Sequence, residues 1–525
     1  MKIAGVSPKR GSVVTTAQGN DPRSLTRVSR PSNGDLIAGV SVALVAIPQS
    51  LAYAELAGLP PQYGLYATAL PALLAALFVS SRYLQTGPVA LTALLTLGAL
   101  SSVAVPGGPD YIQSAALLAL LVGLMRLLLG VVRAGRVAYV LSEPVVTGFT
   151  AGAAVVIMAS QLPKIFDVDT EGQVFTAALR ALESPSKWSW TAIAFAAATV
   201  ALMIGGRYVH RLFPGVLVAV IAGVLVSGFG GYEGSKVGDL DSGFIPLTLN
   251  FPWSEAPSLL LPAAVIALVG FAEPAAIART YAAADRLPWN ANREMVSQGV
   301  ANLASAVSGA FPVGGSFSRS SLNRMAGATS AWSGAITGAF VLVVLPLAPL
   351  LEDLPTSVLG VIVIVVVLRL VDVREMARLP FGSFPQALVG AGTTISTIAF
   401  APRVERGVLV GICLAVAVHL YREMQVLAPG ELEEDRLVVR PKGVMWFATV
   451  PQLERVVREE LAGHPDIATV IVDLTGVGRL DYSGAVALRR ILERLTAGGV
   501  VVSVVGIPPS ASAAVRAELD YYEST

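Results

Sequence analysis

Apolar stretches long enough to cross a hydrocarbon core recur along most of this chain, with turn-rich breaks between them. The pattern predicts about fourteen such segments. They cover 35–57, 62–79, 87–103, 110–131, 144–162, 188–206, 213–229, 258–280, 292–310, 317–328, 331–350, 355–371, 384–401 and 404–425. Arg82, Arg133 and Arg136, Arg207 and Arg211, Arg286 and Arg293, and Arg374 and Arg378 fall in loops on one side. Asp110, Asp167, Asp169, Glu171, Glu233, Asp239, Asp241, Glu352 and Asp353 fall in the opposite loops. Basic loops stay in the cytoplasm. Both ends of the membrane domain are therefore expected to face the cytoplasm, which requires an even number of crossings.

Two of the segments are too short and too broken to span. One opens on Thr86-Gly87-Pro88-Val89-Ala90-Leu91, the other on Pro312-Val313-Gly314-Gly315-Ser316-Phe317-Ser318-Arg319. A helix that begins inside the bilayer leaves its first N–H groups unpaired and electropositive, which suits an anion. Interrupted segments in corresponding halves mark the binding site of many carriers. The halves echo each other: Ala43-Leu44-Val45-Ala46-Ile47-Pro48-Gln49 lies over Ala267-Leu268-Val269-Gly270-Phe271-Ala272-Glu273, and each precedes an interrupted segment by about forty residues. An odd number of crossings per copy inverts the second copy. The predicted fold is a polytopic α-helical membrane protein of two inverted repeats, 35–229 and 258–425, within a transport domain of 33–427.

Composition agrees. Hydrophobic residues make up 54% of the chain and charged residues 14%, whereas a soluble domain carries about 25% charged residues. The mean hydropathy is +0.67. A net charge of +1 provides no basic stripe for nucleic acid. The single Cys413 and the scattered His210, His419 and His464 support neither a disulfide framework nor a metal cluster. No nucleophile–base constellation points to an enzyme. Residues 1–32 are polar and basic, with Lys2, Lys9, Arg10, Arg23, Arg27 and Arg30 against Asp21, and read as a flexible cytoplasmic tail without a signal peptide.

Near residue 428 the chain changes character. Glu431, Glu433, Glu434, Asp435 and Arg436 cluster, and apolar runs shorten to strand length. Strands at Val444–Val450, Thr469–Leu474 and Val500–Val505 alternate with helices at Gln452–Ala462 and Ser483–Leu495 before a last helix, which predicts a small α/β domain over 430–525.

Candidate chemistry concentrates around the broken segments. Glu273 is an acid at the expected midplane, before the kinking Pro274. It is either a group for ion coupling, as a proton carrier, or for the electrostatics of the substrate site, or else a carboxylate that merely bonds a neighbouring half-helix. Gln49 and Tyr53 are one turn apart and can donate hydrogen bonds into one cavity without a competing charge, although Tyr53 can equally be a packing residue. Glu55 points elsewhere, nearer the outer end of its span. Gly87 permits a close turn, and Pro88 suits a first helical position, so that the N–H groups around Val89 and Ala90 aim at the cavity. Phe317 and Ser318 meet the first tip with an apolar edge and a hydroxyl. Arg319 either neutralises a mono- or divalent anion through a bidentate contact or lies behind the site, raising its potential or pairing with Glu273. Arg324 is expected to snorkel to the interface. In the terminal domain Asp473, Asp481 and Ser483 crowd one loop, where Ser483 is the expected N-cap.

Ile47-Pro48-Gln49-Ser50-Leu51-Ala52-Tyr53-Ala54, Pro60-Pro61-Gln62-Tyr63-Gly64-Leu65-Tyr66, Thr86-Gly87-Pro88-Val89-Ala90 and Ser318-Arg319-Ser320 with Asn323 together resemble the sulfate permease (SulP) family of anion transporters. Residues 468–490, with Val472-Asp473-Leu474 and Leu480-Asp481-Tyr482-Ser483-Gly484, resemble the STAS domain of sulfate transporters and anti-sigma-factor antagonists. The resemblance implies two inverted repeats of about seven spans each, divided into a substrate-carrying core and a static gate, and often a homodimer. It also implies a cytoplasmic STAS domain where Ser483 is a candidate phosphosite or partner contact. The expected activity is secondary active transport of sulfate, bicarbonate or a dicarboxylate across the inner membrane, with protons or sodium as coupling ion and no cofactor. An exchanger or channel-like member, a nucleobase permease and an anion-sensing regulatory protein are the alternatives. The absence of an acid on the tenth segment tells against the permease.

Overall fold

A computed structural model describes residues 30–135, 142–209, 213–240, 243–369, 371, 374, 376–378, 383–424, 428–433 and 435–523. The basic tail before Arg30, together with Arg136, His210, Arg211, Asp241 and Glu434, lies outside the described residues, and so does the side chain of Arg207.

Every apolar window meets a helix. In chain order these are α1 (Asn33–Leu56), α2 (Gln62–Phe78), α3 (Ala90–Leu100), α4 (Pro109–Val131) and α5 (Glu143–Phe166). A short amphipathic α6 (Val174–Glu183) follows between two of the predicted windows, and then come α7 (Trp190–Val200), α8 (Gly215–Phe229), α9 (Ala256–Asp285) and α10 (Ala291–Val307). The set ends with α11 (Phe317–Met325), α12 (Trp332–Val344), α13 (Thr356–Val367), α14 (Phe384–Ala399) and α15 (Val404–Glu423). Among the described residues 6 helices are long and apolar enough to cross a membrane, and others are shorter apolar helices.

The order helix, helix, two-residue strand, short helix, helix occurs twice: α1, α2, β1 (Thr86–Gly87), α3, α4, and again α9, α10, β2 (Gly314–Gly315), α11, α12. These two sets pack into each other, α10 along α4 and α2, and α12 along α2 and α1. A second group forms around α5, against which α13 and α14 lie, with α15 on α14 and α7 on α13.

With lipid as solvent, burial of apolar side chains gives these helices little drive to associate, so close backbone approach has to supply it. Glycines at the crossings permit that approach. A Cβ on Gly299 of α10 would stand 2.7 Å from the Leu127 amide nitrogen of α4, and one on Gly148 of α5 would stand 2.3 Å from the Gly390 carbonyl oxygen of α14. The two groups also meet through an ion pair. Lys164, near the end of α5, binds Glu55, near the end of α1. Glu55 is thus at the end of its span, as expected, but engaged.

Beyond α15 the chain forms the expected α/β domain with more strands than predicted. β3 (Gly430–Glu433) and β4 (Arg436–Val439) form an antiparallel hairpin in the acidic cluster, and β4, β6 (Thr469–Asp473) and β8 (Val501–Val505) run parallel in the order β3-β4-β6-β8. β5 is only Gly443–Met445, paired with β7 (Val477–Leu480). The rest of the predicted 444–450 strand turns into α16 (Val450–Gly463), because the Thr449 hydroxyl accepts the Trp446 amide (3.0 Å) and folds the chain back. α17 (Tyr482–Ala497) and α18 (Ala513–Leu519) complete the domain. It abuts the membrane helices through Gln452, whose amide donates to the Met424 carbonyl (2.6 Å) at the end of α15.

Gly299→Val is expected to cost about 1–3 kcal/mol, since backbone atoms stand where the side chain must go. A lowered melting temperature of the detergent-solubilised protein checks this.

Candidate functional site

The broken segments meet. β1 and β2 form a two-residue antiparallel ladder, with Thr86 opposite Gly315 and Gly87 opposite Gly314. It is braced on every side. The Ser316 amide donates to the Gln85 carbonyl (2.9 Å), and the Gln85 amide donates to the Ser320 hydroxyl (2.9 Å). Gln298 donates to the Thr86 hydroxyl (2.8 Å), while Asn302 takes the Val313 amide (3.0 Å) and returns a bond to its carbonyl (3.1 Å). Gly87 has φ +154°, a conformation in which a Cβ would also come 3.2 Å from the Arg319 guanidinium. Glycine is required there.

From this ladder the two short helices start. α3 begins at Ala90, with Val89 as an extended N-cap and no capping side chain. Pro88 therefore precedes the helix by two residues rather than occupying its first position, because the ladder keeps the backbone extended through Val89. The leading amides of α3, at Ala90, Leu91 and Thr92, have no intrahelical acceptor. α11 begins at Phe317 with Ser316 as N-cap, its hydroxyl accepting from the Arg319 amide (3.4 Å).

A cavity of about 680 Å³ opens in front of both tips. Gln49, Tyr53, Val89, Ala90, Glu273, Phe317 and Ser318 line it. It extends to Ile37 and Ser41 at the start of α1 and to Met325 and Ala326 at the end of α11. Gln49 and Tyr53 are each 3% exposed, and the Gln49 Oε1 has no protein partner. Phe317 presents its ring to the cavity and stacks on Tyr281 at 6.4 Å between centroids. The Glu273 Oε1 accepts the Phe317 amide (3.3 Å), so the carboxylate sits on the tip of α11.

Gly87, Pro88 and Arg319 do not line the cavity. Arg319 is 1% exposed and turned behind the wall, its Nη2 donating to the Pro88 carbonyl (2.6 Å) and its Nε unpartnered. It forms no ion pair with Glu273, but lies within electrostatic reach of both Glu273 and Tyr53. Bidentate contact with a guest in the cavity does not follow from this pose. Arg324 is paired with Asp285 at the end of α9 and lies over the Tyr83 and Tyr281 rings at 5.5 and 5.1 Å.

The sequence reading also missed Ser316, which lines the cavity beside Ser318, their hydroxyls 3.3 Å apart. A serine directly before a helical segment after two glycines is an N-cap signal that would have found it.

In the terminal domain the three polar residues separate into two sites. Asp473, at the end of β6, accepts the Thr475 hydroxyl (2.7 Å) and amide (3.0 Å) and pairs with Arg440. The Thr475 bonds, helped by Arg440, hold its carboxyl below the usual carboxylate range. Asp481, beyond β7, is the N-cap of α17 in place of Ser483, accepting the Gly484 amide (2.7 Å). Ser483 lies inside the first turn and donates to the same carboxylate (2.8 Å). Aspartate caps as well as serine does, and it stands at the last extended residue.

Residues 33–391 match the model of the sulfate permease family, and residues 430–518 that of the STAS domain. A probable sulfate transporter of Mycobacterium tuberculosis is 34% identical over 404 residues, 75% of this chain and 70% of that one. A chloroplastic sulfate transporter of Arabidopsis thaliana is 30% identical, covering 87% and 73%. Two solved structures share the fold. The murine Solute Carrier 26 family member A9 anion transporter, in its inward-facing state, gives a TM-score of 0.83 at 21% identity over 94% of this chain and 88% of that one. The transmembrane domain of the cyanobacterial bicarbonate transporter BicA gives 0.62 at 23% identity, covering 73% and 97%.

Gly87→Ala is expected to lower stability by about 1 kcal/mol or more, because alanine is strained at this φ and presses on Arg319. The melting temperature of the solubilised protein measures it.

Proposed function

This chain belongs to the sulfate permease family of multi-pass membrane transporters, and from that premise we propose that it is a proton-coupled symporter of a small oxyanion, sulfate first, working by alternating access. The observation that carries this reading is the uncapped α3 tip facing the α11 tip across one cavity. An anion placed there meets the leading amides of α3, the Ser318 and Ser316 hydroxyls, and the donors of Gln49 and Tyr53. A helix N-terminus contributes on the order of 0.3–2 kcal/mol. Two tips and a few neutral donors thus hold an anion without trapping it.

Glu273 supplies the coupling. Its carboxylate occupies the Phe317 amide, a donor that an incoming anion needs, and it repels that anion. A proton on Glu273 removes both obstacles, so proton and anion favour each other's binding, as linkage requires. α11 carries no acid, which sets it apart from a carrier of neutral nucleobases.

The loops after α2, α4 and α9 carry Arg82, Arg133 and Arg286, at the ends of helices on the side where α1 starts. By the positive-inside rule that side is cytoplasmic. The cavity then faces inward, both termini lie in the cytoplasm, and the membrane is the inner membrane. A homodimer and a cytoplasmic partner at Asp473, Asp481 and Ser483 of the STAS domain complete the reading.

Uptake of labelled sulfate, bicarbonate and succinate into proteoliposomes, under imposed pH or sodium gradients, tests it. Inward proton gradients should accelerate uptake, whereas a requirement for a trapped counter-anion would make the protein an exchanger. Glu273→Gln should transport without responding to the pH gradient; a preserved response refutes its coupling role. Ser318→Phe should cut uptake at least tenfold, since a ring replaces a hydroxyl at the tip of α11, while gel filtration shows an unchanged elution volume.

A further inference from the structure

α4 carries one cation in the midst of its apolar length. Arg126 is fully buried, and an ionised side chain inside a membrane domain is costly and marks function. Its Nε donates to the Ala267 carbonyl (3.1 Å), its Nη2 to that of Ile266 (2.9 Å) and its Nη1 to that of Val313 (3.0 Å). All three acceptors are neutral. Among the described residues no carboxylate forms an ion pair with Arg126. The other buried cation behind the wall, Arg319, has Glu273 within electrostatic reach; Arg126 has no such partner among the described residues.

The guanidinium is one layer away from the cavity. A Cβ on Gly270 would stand 2.5 Å from its Nη2 and 3.3 Å from the Thr92 methyl, and a Cβ on Gly314 would stand 3.5 Å from the Gly270 carbonyl and 3.3 Å from a Val89 methyl. Val89 lines the cavity. Between charge and guest there is thus only the layer made by Thr92, Gly270 and Gly314.

We propose that Arg126 is a charge-specificity and positioning residue: it ties α9 to the loop that launches α11, and its undischarged positive charge favours divalent over monovalent anions in the cavity. The proposal rests on the anion-carrier reading above. Arginine keeps its proton in such surroundings, so the field is fixed. The Coulomb term scales with the charge of the guest. Removing the charge therefore acts on a divalent anion with the square of the factor it has on a monovalent one.

The test compares sulfate and nitrate in proteoliposomes for wild type, Arg126→Lys and Arg126→Met. With Arg126→Met, KM is expected to rise about tenfold for sulfate and about threefold for nitrate, the square relation above. Arg126→Lys, which keeps the charge but not the fork of donors, should retain the sulfate-to-nitrate KM ratio and lose turnover. An unchanged ratio in Arg126→Met, or an equal change in both variants, overturns the proposal. If Arg126→Met does not fold, Arg126→Gln carries the same comparison; failure of both neutral variants to fold while Arg126→Lys folds reduces Arg126 to a structural clamp and also overturns it. Wild type that takes up none of sulfate, nitrate, bicarbonate and succinate defeats the carrier reading instead, which separates the two failures.

Discussion

The ladder between Thr86–Gly87 and Gly314–Gly315 is the constraint on which the rest of this molecule depends. Extended backbone inside a membrane domain is tolerable only where every amide and carbonyl finds a partner in the protein. Two residues from each half satisfy each other, and Gln298, Asn302, Ser320 and Arg319 satisfy the flanking groups. Because the strand ends are fixed to each other, the helices that leave them have their first turns held around one volume. The electropositive ends are then a property of the backbone, present in any side-chain background that permits the ladder. Glycine is the residue that permits it, at Gly87 for its φ and at Gly315 because Leu84 and Pro274 crowd the place of a Cβ.

The polar residues around the ladder are scattered through five different helices, and this explains what could be read from the sequence. Gly87-Pro88 and Gly314-Gly315-Ser316 interrupt apolar runs, so the two half-helices were legible locally. Gln49, Tyr53, Glu273 and Ser318 lie on or next to those runs at helical spacing, and all four line one cavity. The path of Arg319 was not legible. Spacing fixes which turn a side chain leaves from, but a long side chain chooses between cavity and wall according to the acceptor it finds, here the Pro88 carbonyl from the other half of the chain. Arg126, Gln298 and Asn302 were missed for the same reason: each serves a backbone group remote in sequence.

The terminal domain shows a related limit. The helices and inner strands followed from alternation and amphipathic spacing, but β3 and β4 fall in an acidic cluster whose side chains suggest only a solvated link. Leu437 and Val439 of β4 are fully buried, and it is pairing with β6 that makes a strand of this segment. Gln452, on α16, satisfies a carbonyl at the end of α15, so the domain closes off a helix terminus that would otherwise need water.

The pair between Glu55 and Lys164 lies at the ends of α1 and α5 that are remote from Ile37, where the cavity emerges. It joins the group of helices that carries the two tips to the group around α5. In this pose the two charges stay together and hold the remote ends of the two groups against each other. The vestibule beside Ile37 thus lies at one end of a helix assembly whose opposite end is pinned together by charge.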